Sequence, residues 1–296
     1  MKYLISCLEP SANLHFKEVL ERLKKLDPAC EICGIFDEKL GSPIYKSSEF
    51  SAMGFIEILP LILKAKRAIA QMTRLAAECD RVLLIDSPAF NLPLARAIKE
   101  SGARAEISYY ILPQVWAWKP HRAEKLKAFC DNLLSIWPFE AKFFSADYEV
   151  DKGATPRKAK SKDAALQEAK DKDAARPSEQ SAKTAKYSFV GHPLLDEIKF
   201  QKSSYEKQGK IAFMPGSRRA EISRLMPIFR ALVPKFENSE RVLIIPPHLM
   251  DQRDEIYGPL DGFSIANDTP ATLKDCDFAF ICSGTATLEA ALIGTP

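Results

Sequence analysis

Apolar positions along the chain fall into two alternating kinds of stretch. Lys2 to Cys7, Ile32 to Phe36, Arg81 to Ile85, Ile107 to Ile111 and Asn132 to Ile136 are strand-length and nearly continuously apolar. That pattern predicts strands buried on both faces. Between them, Leu14 to Leu26, Leu92 to Lys99 and Arg122 to Cys130 carry apolar residues at helical spacing. A βαβ rhythm of this kind predicts a parallel sheet with helices on both faces. The rhythm restarts with strands at Tyr187 to Val190, Lys210 to Phe213, Arg241 to Ile245, Phe263 to Ala266 and Phe278 to Cys282, and a helix at Glu221 to Leu232. The predicted fold class is therefore α/β, with two doubly wound, Rossmann-like domains facing a cleft. The first spans residues 1–150 and the second residues 187–296.

Two stretches break the rhythm. Residues 151–186 have no aromatic residue and one large aliphatic, Leu166, among Lys, Ala, Asp, Glu and Ser. Such a segment buries too little apolar surface to offset its ordering entropy, which predicts a flexible surface insert without catalytic duty. Residues 53–69 crowd Phe55, Ile56, Ile58, Leu59, Leu61, Ile62 and Leu63 together and then add Lys64, Lys66 and Arg67. Pattern alone leaves two readings open, a buried helix pair or an interfacial segment. Pro60 is expected to break or restart the helix.

Composition narrows the class. The chain has 296 residues, 46% hydrophobic and 27% charged, with a net charge of +3. That length accommodates two ordinary cores, and that charge does not argue for nucleic acid. No apolar run reaches the roughly 18 residues of a membrane span. The N-terminus reads as a first strand rather than a signal peptide. Seven cysteines without framework spacing point to a reducing, cytoplasmic compartment. The lone Cys30 and Cys33 pair lacks the second ligand pair that zinc requires, so no metal is expected.

Candidate chemistry gathers where predicted strands end. Phe213 to Glu221, FMPGSRRAE, is a strand-to-helix turn. Open backbone N–H groups and the helix dipole attract an anion there, Gly216 permits close approach, and Arg218 can clamp a diphosphate beside Ser217. Ser283, Gly284, Thr285 and Thr287 open a second such helix, with Glu289 placed to accept ribose hydroxyls. Asp86 ends a buried strand, where it reads either as a general base facing the cleft or as a helix cap. Glu9, Ser11 and Asn13 lie at the first strand's end and fit turn chemistry or capping. The loop Leu112 to Arg122, LPQVWAWKPHR, brings two of the three tryptophans beside Gln114, His121 and Arg122. Aromatic and basic groups together can stack on sugars and hold phosphates, Trp116 among them. His192 ends another predicted strand.

Taken in order, IDSPAFN (85–91), YYILPQVWAWKPHR (109–122), PFE (138–140), FVGHPL (189–194), MPGSRRAEI (214–222) and SGTATLEAAL (283–292) resemble the lipid-A-disaccharide synthase family. The resemblance spans most of the chain. It implies a GT-B fold and an inverting, metal-free hexosyl transfer without a cofactor. The implied donor is UDP-2,3-diacylglucosamine, the acceptor is lipid X (2,3-diacylglucosamine 1-phosphate), and the products are UDP and a β(1→6) disaccharide. It implies Asp86 as catalytic base and Arg218, with Gly216 and Ser217, as the diphosphate clamp. Ser283, Gly284, Thr285 and Thr287 are then phosphate contacts, Glu289 a ribose contact, and Gln114, Trp116, His121, Arg122 and His192 further substrate contacts. Met53, Phe55, Ile56, Leu59, Leu63, Lys64 and Arg67 become a face toward the inner membrane, making the protein cytoplasmic and peripheral. A homodimer is a further expectation. The alternatives are another GT-B enzyme on a UDP-sugar, such as a UDP-GlcNAc 2-epimerase, or a non-catalytic relative that binds UDP or lipid.

Departures accompany the resemblance. The family's first loop, Gly-Glu-Ala-Ser-Gly-Asp, is Leu8 to Asn13 here, keeping Glu9 and Ser11. The second acid of its Ile-Asp-Ala-Pro-Asp-Phe-Asn motif is Ala89. The insert replaces a short connection. The chain ends at Pro296, where family members continue, so a truncated second domain with an incomplete nucleotide pocket and poor activity is expected.

Overall fold

The apolar runs pair in parallel into two sheets. The computed structural model describes residues 1–51, 58–144, 185–199 and 201–296. These form two compact units, Met1–His192 and Pro193–Pro296.

Unit 1 carries strands β1 (Lys2–Cys7), β2 (Glu31–Phe36), β3 (Tyr45–Lys46), β4 (Arg81–Ile85), β5 (Glu106–Tyr110), β6 (Asn132–Ser135) and β7 (Lys186–Phe189) in the order β3-β2-β1-β4-β5-β6-β7. Its helices are α1 (Pro10–Leu26), α2 (Ser48–Ser51), α3 (Ile58–Ala76), α4 (Pro88–Glu100), α5 (Arg122–Phe129) and α6 (Ala141–Phe144). Successive side chains point to opposite faces. Leu4, Val82, Leu84, Ile107, Tyr109 and Leu133 accordingly pack with Met72, Leu94, Ile98 and Leu126 in one core. Ile5, Cys7, Phe36 and Ile85 pack with Phe16 and Leu20 in another. At Gly34 (φ +122°) β2 passes so close to β1 that a Cβ would lie 2.1 Å from the Ile5 carbonyl oxygen, a position only glycine fills.

Unit 2 carries β8 (Lys210–Met214), β9 (Glu240–Ile244), β10 (Ser264–Ala266) and β11 (Phe278–Ile281) in the order β10-β9-β8-β11. Its helices are α7 (Leu194–Glu197), α8 (Arg219–Leu232), α9 (Arg253–Tyr257), α10 (Thr269–Asp275) and α11 (Thr285–Ile293). Ile211, Phe213 and Leu243 face Ile222, Met226 and Phe229. Ala212, Met214 and Ile244 face Leu273, Ala290 and Ile293.

Strand order reverses once in each sheet, between β1 and β4 and between β8 and β11. Open α/β sheets bind ligands outside the carboxyl ends of strands at such a reversal. Asp86 and the loops at Gly216 and Ser283 stand at those two places.

Some sequence expectations need adjustment. Residues 187–189 belong to the first sheet, since β7 pairs with β6 through Leu133↔Tyr187 and Ser135↔Phe189. The strand is short, and register with β6, invisible to its own pattern, decides its partner. The insert expectation falls on residues outside the described set, except that Ala185 is buried and Lys186 opens β7. Helix α1 begins at Pro10, not Leu14. Proline at the first helical position has no N–H to lose, so the apparent turn is the first helical turn. Likewise Pro60 falls in the first turn of α3, which starts at Ile58.

Candidate functional site

Asp86 is held by its main chain. Its N–H donates to the Tyr110 carbonyl at 3.0 Å. Its own carbonyl accepts from Tyr109 Oη at 2.7 Å and Asn91 Nδ2 at 2.8 Å. Asn91 is fully buried and also binds Ser6 Oγ at 2.6 Å and the Ile85 carbonyl at 3.2 Å. Asp86 and Ser87 both have left-handed backbones, φ 51° and 45°. A non-glycine residue pays about 1 kcal/mol or more in that region, and the surrounding bonds over-determine the turn. Ser87, not Asp86, is the N-cap of α4, and its side chain makes no cap bond. Its buried hydroxyl has no hydrogen-bond partner among the described residues. Asp86 thus stands just before the helix, half-buried, rather than capping it.

Neighbouring Asn13 is structural. Its side chain bonds the Cys7 and Glu9 carbonyls and accepts the Asp37 N–H at 2.7 Å. That ties the ends of β1 and β2.

The loops after β5, β6 and β7 meet in an aromatic cluster. Trp116 lies edge-on to Phe139 with centroids 5.4 Å apart. Phe139 stacks on Trp137 at 6.1 Å, and Trp137 packs on His192 at 5.1 Å. Trp116 and Phe139 are 42% and 43% exposed, enough for ring faces to meet a ligand. Lys119 Nζ and the Arg122 guanidinium sit over Trp118, at 4.8 and 5.5 Å from its centroid. Gln114 and His121 are exposed, His121 preceding α5. Beneath the cluster Glu140 is fully buried. Burial pushes its carboxyl pKa up, against opposing pulls from the Ser135 hydroxyl, the Trp116 indole and the Trp137 main chain.

Unit 2 builds its edge from open loops. Gly216 has φ 97°, and a Cβ there would lie 2.6 Å from Glu221 Oε2 and 3.5 Å from Cys282. The Cys282 N–H donates to the Met214 carbonyl at 2.8 Å, so the two loops lie side by side. Ser217 and Arg218 are exposed, and Arg218 Nη1 donates to Glu221 Oε1 at 3.2 Å. No side chain caps α8 or α11, which leaves both helix starts suited to an anion. Ser283, Gly284 and Thr285 are exposed. Thr287 Oγ1 donates to the Gly284 carbonyl at 2.5 Å, so its proton is committed within the turn. Glu289 is half-buried in α11.

The proposed membrane face is split. Met53, Phe55 and Ile56 lie outside the described residues, as does the side chain of Leu59. Leu63 is 53% exposed and Arg67 is exposed. Lys64 instead pairs with Glu49 at 2.7 Å and sits over Phe50. Ala68, Met72 and Ala76 face the core while Lys66, Arg67, Ala70, Gln71 and Arg74 are exposed, so the rest of α3 buries one face only. Among the described residues no helix is long and apolar enough to cross a membrane.

Sequence reasoning missed Asn91, Glu140, Glu221 and Cys282. Asn91 and Glu140 stood inside stretches carrying the resemblance. Only the fold reveals that one locks Asp86 and the other lies beneath Trp116.

Two α/β units, each built on a parallel sheet with loops gathered at a strand reversal, define the class, an α/β fold of the GT-B type. Solved structures agree on the fold. S. aureus MnaA in complex with UDP superposes with a TM-score of 0.57 at 13% identity, covering 100% of this chain and 77% of the other. UDP-GlcNAc 2-epimerase from Neisseria meningitidis bound to UDP-GlcNAc gives 0.52 at 13% identity, covering 100% and 81%. The family described as Lipid-A-disaccharide synthetase matches residues 3–151 and 178–296. Lipid-A-disaccharide synthase of Campylobacter jejuni strain RM1221 is 45% identical over 314 residues, 99% of this chain and 74% of the relative. That of Helicobacter pylori strain HPAG1 is 38% identical over 300 residues, 99% and 71%. The chain belongs to the lipid-A-disaccharide synthase family, a family of hexosyltransferases in lipid A biosynthesis.

Proposed function

We propose that the protein transfers 2,3-diacylglucosamine from UDP to the 6-hydroxyl of lipid X. The reading rests on family membership for the reaction and on one structural observation for its chemistry: Asp86 at the β1/β4 reversal, its main chain fixed by Tyr109 and Asn91. Asp86 takes the proton of the acceptor hydroxyl as that oxygen attacks the donor's anomeric carbon. The bond from that carbon to the diphosphate oxygen breaks on the opposite face, which inverts the centre and releases UDP. A positioned base supplies about 10²- to 10⁴-fold. Arg218 and the helix starts at α8 and α11 receive the negative charge on the departing diphosphate. Ser217, Ser283 and Thr285 add hydroxyl contacts, Glu289 holds the ribose, and Gln114, Trp116, His121, Arg122 and His192 position the acylated sugars. Leu63 and Arg67 belong to the face through which the lipids arrive from the inner-membrane surface.

Product formation from UDP-2,3-diacylglucosamine plus lipid X tests the reaction. Asp86→Ala is expected to keep UDP binding by calorimetry while turnover drops by about 10³-fold. Unchanged turnover in that variant removes Asp86 from the chemistry.

A further inference from the structure

Glu140 is a fully buried acid at the carboxyl edge of β6 to which the transfer chemistry assigns no part. Its carboxyl meets Ser135 Oγ at 2.5 Å through Oε2, while Oε1 is buried without a hydrogen-bond partner among the described residues. Ser135 Oγ also lies 2.9 Å from the Trp137 carbonyl oxygen and accepts the Trp137 N–H at 3.2 Å.

The protons around Ser135 decide the state of Glu140. A hydroxyl has one proton, yet two acceptor oxygens stand within hydrogen-bonding distance of Ser135 Oγ. If Glu140 is ionised, one of the two oxygen pairs lacks a proton and the lone pairs oppose each other. If Glu140 is a neutral acid, its O–H donates to Ser135 Oγ and the Ser135 O–H donates to the Trp137 carbonyl. Every contact then carries a proton. No cation stands among the groups that act on the carboxyl; they are Ser135, the Trp116 indole and the Trp137 main chain. The titratable groups facing the turn from β7 and its end are Tyr187, whose Oη donates to the Trp137 carbonyl at 3.5 Å, and His192, against Trp137. From the loop after β5 come Lys119 and Arg122, both over Trp118.

The same turn reaches Trp116 twice. Phe139 packs edge-on to the indole ring, and the Trp116 indole acts on the Glu140 carboxyl without closing a hydrogen bond to Oε1. Trp137 carries the chain of rings on to His192. One short turn therefore joins the loop after β5 to the end of β7.

We propose that Glu140 is a positioning residue: a neutral carboxylic acid, donating to Ser135 and offering Oε1 to the Trp116 indole N–H, that holds Trp116 in place as a wall for the acylated acceptor sugar. The substrate part rests on the transferase reading above; the protonation and the hold on Trp116 do not.

The test uses the whole chain with ¹⁵N-labelled tryptophan indoles, whose three signals are assigned by single Trp→Phe variants. In the wild type the Trp116 indole signal is expected to stay constant from about pH 3.5 to 8, and Glu140→Gln, which keeps an N–H donor toward Ser135, is expected to leave it in place. Glu140→Ala is expected to shift it. In turnover assays Glu140→Ala should raise the acceptor KM about tenfold with kcat within about threefold, Glu140→Gln should restore it, and adding Glu140→Ala to Trp116→Ala should change nothing more. A Trp116 signal that titrates near an ordinary glutamate, or a Gln variant as impaired as Ala, overturns the neutral acid. Additive KM effects in the double variant overturn the route through Trp116. A wild type that forms no product sinks the transferase reading instead, and the indole measurements still decide the state of Glu140.

Discussion

The two strand reversals solve opposite problems. In unit 1 the main chain of the proposed base is fixed before any ligand arrives. Asp86 sits on a left-handed backbone clamped by Tyr109, Tyr110 and Asn91, and Asn91 is itself anchored on Ser6 deep in the sheet. In unit 2 the groups stand in the open. The Arg218 side chain is 71% exposed and touches Glu221, a surface pair worth about 1 kcal/mol or less. A base must be placed within a few tenths of an ångström of one proton, so rigidity serves it. A diphosphate carries spread charge and meets many donors, so exposed loops and helix starts suffice to hold it.

The contrast separates activity from stability. Arg218→Ala is expected to lower turnover by about 10²- to 10³-fold and to weaken UDP binding. Thermal unfolding should move by no more than about 1 °C, since the lost ion pair is exposed. Steady-state kinetics, calorimetry and a melting curve on one preparation suffice. Normal UDP affinity in that variant would break the assignment of unit 2 as the donor site.

Asn91→Ala should do the reverse. It strips a partner from Ser6 and from the Ile85 carbonyl, both in buried surroundings, and one of two side-chain donors from the part-buried Asp86 carbonyl. Unsatisfied buried groups of this kind cost about 1–3 kcal/mol each, so a loss of roughly 3 kcal/mol of unit 1 stability is expected in urea unfolding. Turnover should fall too, because the Asp86 turn loses its anchor. A variant as stable as the wild type would mean that the Asp86 turn is held by Tyr109 and the sheet alone.

What could be read from the sequence follows the same divide. The strand runs Lys2–Cys7 and Arg81–Ile85 were legible to the residue, because buried parallel strands are written as unbroken apolar stretches. The positions of Asp86, Gly216, Arg218 and Ser283 at strand ends followed from that rhythm. Strand order did not, and with it went the sheet to which β7 belongs. The Tyr109 hydroxyl, Ser6 and Asn91 carry no pattern of their own, since they act through pairings between distant strands. Glu140 lies within the PFE motif, but its role follows only from its burial and its place beside Trp116.

The smallest effect probes that residue through stability alone. Burial raises the Glu140 pKa above the ordinary value of 4.5. At low pH the acid is protonated whether the chain is folded or unfolded, and it contributes no pH dependence. As pH rises past about 4.5 the unfolded chain releases the proton while the folded chain keeps it. The unfolded state then binds fewer protons, so stability falls with pH until the folded-state value is passed. Glutamine has no proton to release. The melting temperature of Glu140→Gln relative to wild type should therefore grow more favourable as pH rises from about 4.5 toward neutrality, by on the order of a few °C. Differential scanning calorimetry of both proteins across that range reads the gap directly. A gap that stays flat, or that shrinks with pH, would mean that Glu140 is ionised in the folded chain, and unit 1 would then carry a buried charge where a neutral post is expected.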